Sequence, residues 1–300
     1  MHEFIAIGET TIDAFIKLEN ANVSCDIDRK NCKICLPFAA KVPYEFVIEV
    51  PAVGNAGNAS VAASRLGLES ALVATVGKDS DGEKCLRALE TEGVSTEYVG
   101  IQEDKKTNYH YVLWYEDDRT ILQKHSEFKY RLPDIGEPNW IYLTSLGKDS
   151  DQYHGEIMEY LKSFPNIKLA FQPGIFQISL GKDKLQGIYQ RSDIFFCNIE
   201  EAGRILSLDT LGTHELLKRV QPPYPDPKPP FERTGAGDAF SSTTVAALAL
   251  GKSLPIALSW GAVNSMSVVQ QVGAQKGLLT RSQIEEYLKN ALVDFKIKKL

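Results

Sequence analysis

The stretch Glu232–Phe240, ERTGAGDAF, holds two glycines, a carboxylate and the start of an Ala-rich helical run. Gly235 and Gly237 flank Ala236, and glycine lets a backbone approach a ligand closely. The free amides of a helix start point outward and carry about half a positive charge. The spacing predicts an anion hole at Gly235, Ala236 and Gly237, suited to the charge that shifts during phosphoryl transfer. Asp238, in the first turn, is placed to accept a proton from an attacking hydroxyl. The same pattern also suits a Gly-rich turn in which Asp238 is an ordinary carboxylate favoured by the helix dipole.

Three further groups have types suited to polar ligands. In VGNAGNASVAASRLG, Val53–Gly67, Gly54, Gly57 and Asn58 stand where a loop enters a helix. Such a loop can offer backbone and amide groups to sugar hydroxyls; a capped helix start with small residues for close packing explains it equally well. NIEE, Asn198–Glu201, follows a strand-like run, where a carboxylate and an amide can hold the water shell of Mg²⁺; the alternative is a capped helix with acidic residues in its first turn. Asp13 follows the first strand and can bond two hydroxyls of a sugar, or serve as a turn residue.

These residues need a frame. Phe4–Ile7, Ala71–Val76, Ile141–Thr144, Lys168–Phe171 and Asp193–Cys197 are short apolar runs of strand length. Helical spacing marks Asn58–Leu66, Glu83–Glu92, Tyr153–Ser163, Leu180–Gln190 and Glu200–Leu206 between them. That alternation predicts βαβ units, a mostly parallel sheet with helices on both faces, and ligands at the C-terminal strand edge. Two stretches break the rhythm. Residues 11–50 lack a helical period, and Asn108–Trp114 with Thr120–Lys124 reads as a hairpin. About 11–50 and 107–125 are expected to form a small β-sheet lid over a substrate cleft. Tyr109, Tyr111 and Tyr115 would make one lid face aromatic, and His110 would lie on a lid strand. Pro222–Pro230 forbids helix and sheet interior and predicts an extended connector. Helices are expected at Ala236–Leu250, Pro255–Gln271 and Ser282–Asn290, the last capped by Ser282 with Glu285.

The chain has 300 residues, 43% hydrophobic and 24% charged, which excludes disordered and fibrous classes. Its formal charge is −6, which speaks against nucleic acid as the main ligand. The first residues lack a basic, apolar leader and no run approaches membrane-spanning length, so a cytoplasmic, membrane-free protein is expected. The cysteines number five, so no secreted disulfide framework is expected. Cys25, Cys32 and Cys35 leave open a Zn²⁺ site against simple reduced thiols, the latter favoured because no fourth ligand is near in sequence.

RTGAGDAF resembles the C-terminal signature of the PfkB (ribokinase-like) family of carbohydrate and nucleoside kinases, and the Gly54–Arg65 stretch its N-terminal one. The order GETTID, Gly/Asn motif, VGKDSDG, NIEE, GAGD also fits over nearly the whole chain. The resemblance implies one α/β kinase domain over 1–300: a ribokinase-like three-layer sandwich with a mostly parallel central sheet and a small β lid. It implies ATP-dependent transfer of the γ-phosphate to a hydroxymethyl group, with Asp238 as base and Gly235–Gly237 as anion hole. Asn198, Glu201 and Thr234 would bind ATP and Mg²⁺; Asp13, Gly54, Asn55 and Asn58 would bind the sugar or nucleoside. A K⁺ site would lie near Glu232, where Asp is common. Val53 and Gln172 also depart from the family's usual Gly and Asn. Asn198 to Asp238 is 40 residues, shorter than a pattern with further strands and a Thr-x-Gly turn near the ATP phosphates. A sugar kinase is the leading expectation. A nucleoside kinase or a catalytically impaired binding homologue are the alternatives, and a homodimer through the lid is expected. GETTID lacks the GxGxxG of a dinucleotide-binding dehydrogenase.

Overall fold

The computed structural model describes residues 2–26, 32–116, 118–206, 219–220, 224–291, 295 and 298–299. The strands are β1 Phe4–Ile7, β2 Thr11–Leu18, β3 Asn22–Ser24, β4 Lys33–Cys35, β5 Tyr44–Val53, β6 Ser70–Gly77, β7 Val99–Gln102, β8 Tyr109–Tyr115, β9 Asp118–Leu122, β10 Trp140–Leu143, β11 Lys168–Phe171, β12 Ile194–Phe195, β13 Arg219–Val220 and β14 Lys298–Lys299. The helices are α1 Asn55–Arg65, α2 Ser80–Thr91, α3 Asp151–Ser163, α4 Ile175–Leu180, α5 Gln186–Arg191, α6 Ile199–Leu206, α7 Ala236–Ala249, α8 Leu254–Val268 and α9 Arg281–Lys289.

Six strands form a sheet in the order β12-β11-β10-β1-β6-β7, with every pairing parallel. Its inner strands β11, β10, β1 and β6 are largely apolar on both sides because both sides are covered, while the edge strands β12 and β7 are partly exposed. Ile5, Ile7, Val73, Ile141, Leu143 and Phe171 face α3 and α5, packing with Ile157, Leu161 and Ile188. Their alternates Phe4, Ala6, Leu72 and Tyr142 face α1, α7 and α8, packing with Ala59, Ala62, Val245 and Trp260. The result is helix, sheet, helix in three layers. The small residues of α1 permit its close seat: a Cβ on Gly57 would stand 2.3 Å from the Ala52 carbonyl oxygen.

A second sheet has the order β5-β2-β8-β9. β2 runs antiparallel to β5 and parallel to β8, which forms a hairpin with β9. The register Asp13↔His110 puts both side chains on one face. The register Val112↔Ile121 and Trp114↔Arg119 adds Ile121 and Arg119 to that face. This alternation sends Tyr109 and Tyr111 to the opposite face, where their rings lie 5.2 Å apart and Tyr111 is exposed.

Several expectations are corrected. The helix expected over 180–190 is two short ones, because Gly181 at φ 89° ends α4. The strand expected over 193–197 pairs only at Ile194 and Phe195. α1 begins at Asn55 rather than Asn58, with Gly54 at φ 91° closing β5 into it. α9 is capped by Thr280, not Ser282, in a capping box with Gln283. Cys25 and Cys32 are joined in a disulfide rather than reduced, while Cys35, Cys85 and Cys197 are free. Two sulfurs bonded to each other are not thiolate ligands, which removes the donor set considered for Zn²⁺. From Tyr224 to Pro230 the described part of the connector has neither helix nor strand, and it bends at 227–229 rather than running extended. Much of the short segment before it, 207–218 and 221–223, lies outside the described residues, as does its comparison with the expected strands and turn. Among the described residues no helix is long and apolar enough to cross a membrane.

Candidate active site

A cleft of about 480 Å³ opens between the carboxyl ends of the central strands and the second sheet. It gathers Asp13, Gly54, Asn55, Asn58, Asn198, Glu201, Thr234, Gly235, Ala236, Gly237 and Asp238, every residue given a role by the family resemblance, whereas Gly57 packs against the Ala52 carbonyl instead. Their separation along the chain is bridged by topology. Loops leaving β5, β11 and β12 and the start of α7 all end at one sheet edge, where open α/β sheets bind ligands.

Gly235 is the N-cap of α7, in the left-handed region at φ 81°. A Cβ there would stand 2.3 Å from the Ala274 Cβ, so only glycine fits. A Cβ on Gly237 meets nothing within 4 Å, so the helix mouth is open to the cleft. The loop before it is held from inside by Glu232, which is fully buried. Its carboxylate accepts from the Thr234 amide at 2.8 Å and hydroxyl at 2.6 Å, and from the Gly273 amide at 3.4 Å. The Arg119 guanidinium of the second sheet stands 3.9 Å away. Thr234 is therefore committed to shaping the loop through its hydroxyl.

Asp238, half-buried in the cleft, receives one amide on each oxygen. Asn58 Nδ2 donates to Oδ2 at 2.9 Å, and Gln172 Nε2 donates to Oδ1 at 3.1 Å. Burial pushes its carboxyl above the ordinary carboxylate value, and the carboxylates of Asp13 and Glu201 push the same way; the two amides oppose them. Asn58 is in turn oriented by Gln275, whose Nε2 donates to Asn58 Oδ1 at 3.1 Å and to the Ala52 carbonyl at 2.8 Å.

Asp13 is buried, and its Oδ1 stands 3.3 Å from His110 Nδ1 at an angle that makes no hydrogen bond. His110 Nε2 is also buried and unpartnered. Asn198 and Glu201 cap α6 reciprocally: the Glu201 amide donates to Asn198 Oδ1 at 2.8 Å and the Asn198 amide to Glu201 Oε2 at 2.9 Å. Both also line the cleft, so capping and ligand-facing roles coincide. Arg119 and Gln275 were missed in the sequence. Each reaches the site only through strand register or a distant loop, which no local spacing signals.

The fold is that of the ribokinase-like proteins. It matches the crystal structure of Methanocaldococcus jannaschii nucleoside kinase with a TM-score of 0.75 at 19% identity, covering 96% of this chain and 98% of that one. The Arabidopsis thaliana ribokinase complexed with ribose and ATP matches with a TM-score of 0.74 at 18% identity, covering 96% and 99%. In sequence the chain is 26% identical to the ribokinase of Bacillus subtilis over 260 residues, 78% of this chain and 87% of that protein. Residues 42–226 match the pfkB family carbohydrate kinase model. The chain belongs to the pfkB family, whose kinases are phosphotransferases acting on hydroxyl acceptors.

Proposed function

We propose that the protein is an ATP-dependent sugar kinase, acting in the cytoplasm on a hydroxymethyl group of a carbohydrate. The observation that carries this reading is the shared location of Asp238 and the α7 amides, which open onto one cleft. Asp238 takes the proton of the acceptor hydroxyl as its oxygen forms a bond to the γ-phosphorus and the bond to the ADP oxygen breaks. The amides of Gly235, Ala236 and Gly237 receive the charge on the transferring group. Gly54, Asn55, Asn58 and Asp13, whose Oδ1 makes no hydrogen bond within the protein, bind the acceptor's other hydroxyls. Asn198 and Glu201, on the cleft rim with Thr234's loop beside them, would hold the Mg²⁺ that accompanies ATP, and that ion would supply positive charge to the phosphates. The second sheet serves as the lid of a single kinase domain. The Arg119 guanidinium, 3.9 Å from Glu232, supplies positive charge beside that carboxylate, and we read it as standing in for the K⁺ ion.

A nucleoside acceptor is the second reading, favoured by a likeness to nucleoside kinase as close as that to ribokinase. The test is ADP formation with Mg²⁺ on pentoses, hexoses and nucleosides, for wild type beside Asp238→Asn, in K⁺ and in Na⁺ buffer. Turnover on a free sugar, equal in both salts and about 10²–10⁴-fold lower in the variant, is expected. Turnover on adenosine alone selects the nucleoside reading. No turnover by the folded wild type means an impaired binding homologue.

A further inference from the structure

Gln172 lies directly after β11, at the edge where the site is built. Its side chain makes two kinds of bond that together define its direction. Oε1 accepts from the Tyr142 hydroxyl and lies 2.6 Å from Ser241 Oγ, whose single proton can go to it or to the Gly237 carbonyl at 2.8 Å. Those two hydroxyls are 2.7 Å from each other. Nε2 then points at Asp238 Oδ1, 3.1 Å away. Turning the amide over would set an oxygen against a carboxylate oxygen and point NH₂ at the two hydroxyls, losing the bond to Asp238.

Tyr142 is rooted in β10 and fully buried against Phe4 and α7, so its hydroxyl has a fixed position. Ser241 lies on α7 itself, one turn beyond Asp238. Sheet and helix therefore both orient this one amide. Asn58 does the same work on the other oxygen from α1. A carboxylate has about four acceptor sites, so one amide on each oxygen leaves room for a substrate hydroxyl.

We propose that Gln172 is a positioning residue that holds the Asp238 carboxylate ionised and correctly turned toward the acceptor hydroxyl, its own direction set by Tyr142 and Ser241. This rests on the reading of Asp238 as the base. An amide N–H bonds the ionised carboxylate and not the protonated face of the acid, so its loss favours protonation. The surroundings magnify that loss. The charged and titratable groups facing the site are Asp13 from β2, Glu201 from α6, His110 from β8, Arg119 from β9, Tyr142 from β10, the free Cys197 thiol after β12 and Arg233 from the α7 loop. The two nearby carboxylates already favour a proton on Asp238.

The test compares wild type, Gln172→Leu, Gln172→Asn and Tyr142→Phe. The first readout needs no substrate: the side-chain carboxyl ¹³C signal of Asp238, assigned by its absence in Asp238→Asn, is titrated by NMR. In Gln172→Leu its midpoint is expected to rise by about one pH unit, as for loss of one bond to a charged group. Tyr142→Phe, which keeps the donor but frees its direction, is expected to shift it the same way by less. The second readout is turnover with D-ribose and with adenosine. Gln172→Leu is expected to lower kcat at least tenfold, leave the acceptor KM within about threefold, and move the acid limb upward; Gln172→Asn is expected to recover part of kcat. An unmoved Asp238 midpoint in folded Gln172→Leu overturns the proposal, as does a loss confined to KM. If Asp238→Asn itself retains turnover, the base reading fails instead, whatever the titration shows.

Discussion

Asp238 stands at a point where several elementary effects oppose one another. Burial and the carboxylates of Asp13 and Glu201 raise its proton affinity, while two amides lower it. The balance is upward, so the acid limb of kcat/KM is expected above the ordinary carboxylate value of 3.8. The base must be ionised to act, so activity falls as pH drops through that raised value; a pH profile of the wild type checks it. Gly235 carries a different constraint. It combines φ 81° with a Cβ position 2.3 Å from the Ala274 Cβ. Gly235→Ala is therefore expected to cost more than about 1 kcal/mol of stability, since backbone strain and overlap add. It also displaces the mouth of α7, so turnover is expected to fall far more than stability alone explains. A variant as stable and active as wild type, by urea unfolding and ADP formation, would remove the requirement for glycine.

Elements place these residues with indirect supports. Arg65, at the end of α1, bonds Glu92 at 2.6 and 2.7 Å and the carbonyls of Gln275 and Leu278 at 2.6 and 2.8 Å. It thereby anchors the loop whose Gln275 orients Asn58. On the opposite sheet face, His154 of α3 is buried, with Nε2 3.0 Å from the Gln177 amide nitrogen of α4. Burial pulls its pKa from 6.5 down to about 4, so the folded state holds it neutral. Its stability is full above the unfolded value and is lost as pH falls from about 6.5 toward 4, by at most about 3 kcal/mol. His154→Leu is expected to flatten that decline, measured as urea midpoints at neutral pH and near pH 4.5. An equally steep decline in the variant would assign the loss to other groups. Much of this level was legible in sequence, because an all-apolar run such as Phe4–Ile7 has one solution when both its faces are covered. The GAGD turn and its helix were legible because glycine spacing and helix propensity are local. Gln172 was visible only as a departure, and His110 only as a strand residue; register supplied the rest. The Cys25–Cys32 pairing was illegible for the same reason, since spacing alone does not say which thiols meet.

At the scale of the molecule, two sheets enclose one cleft, and only one of them is covered. The central sheet is sandwiched between helix layers, whereas β5 of the second sheet pairs with β2 alone among the described residues. β5 is 10 residues long, and Tyr44, Phe46, Val47 and Ile48 are all exposed along it. A long edge with apolar residues on both sides and free backbone groups invites another strand, and soluble proteins commonly meet that demand by closed symmetric pairing. A homodimer through this sheet follows as a proposal. Its inner face is continuous with the cleft through Asp13, His110 and Arg119, so pairing would steady the lid over the acceptor. Sedimentation is expected to give a dimer for wild type and a monomer for Val47→Lys, because a charge on the edge opposes association. The monomer is expected to retain folding, since its cores lie elsewhere, but to bind the acceptor more weakly. A wild type that remains monomeric up to high micromolar concentration would leave this edge without a partner strand. A dimer unaffected by Val47→Lys would move the interface to another surface.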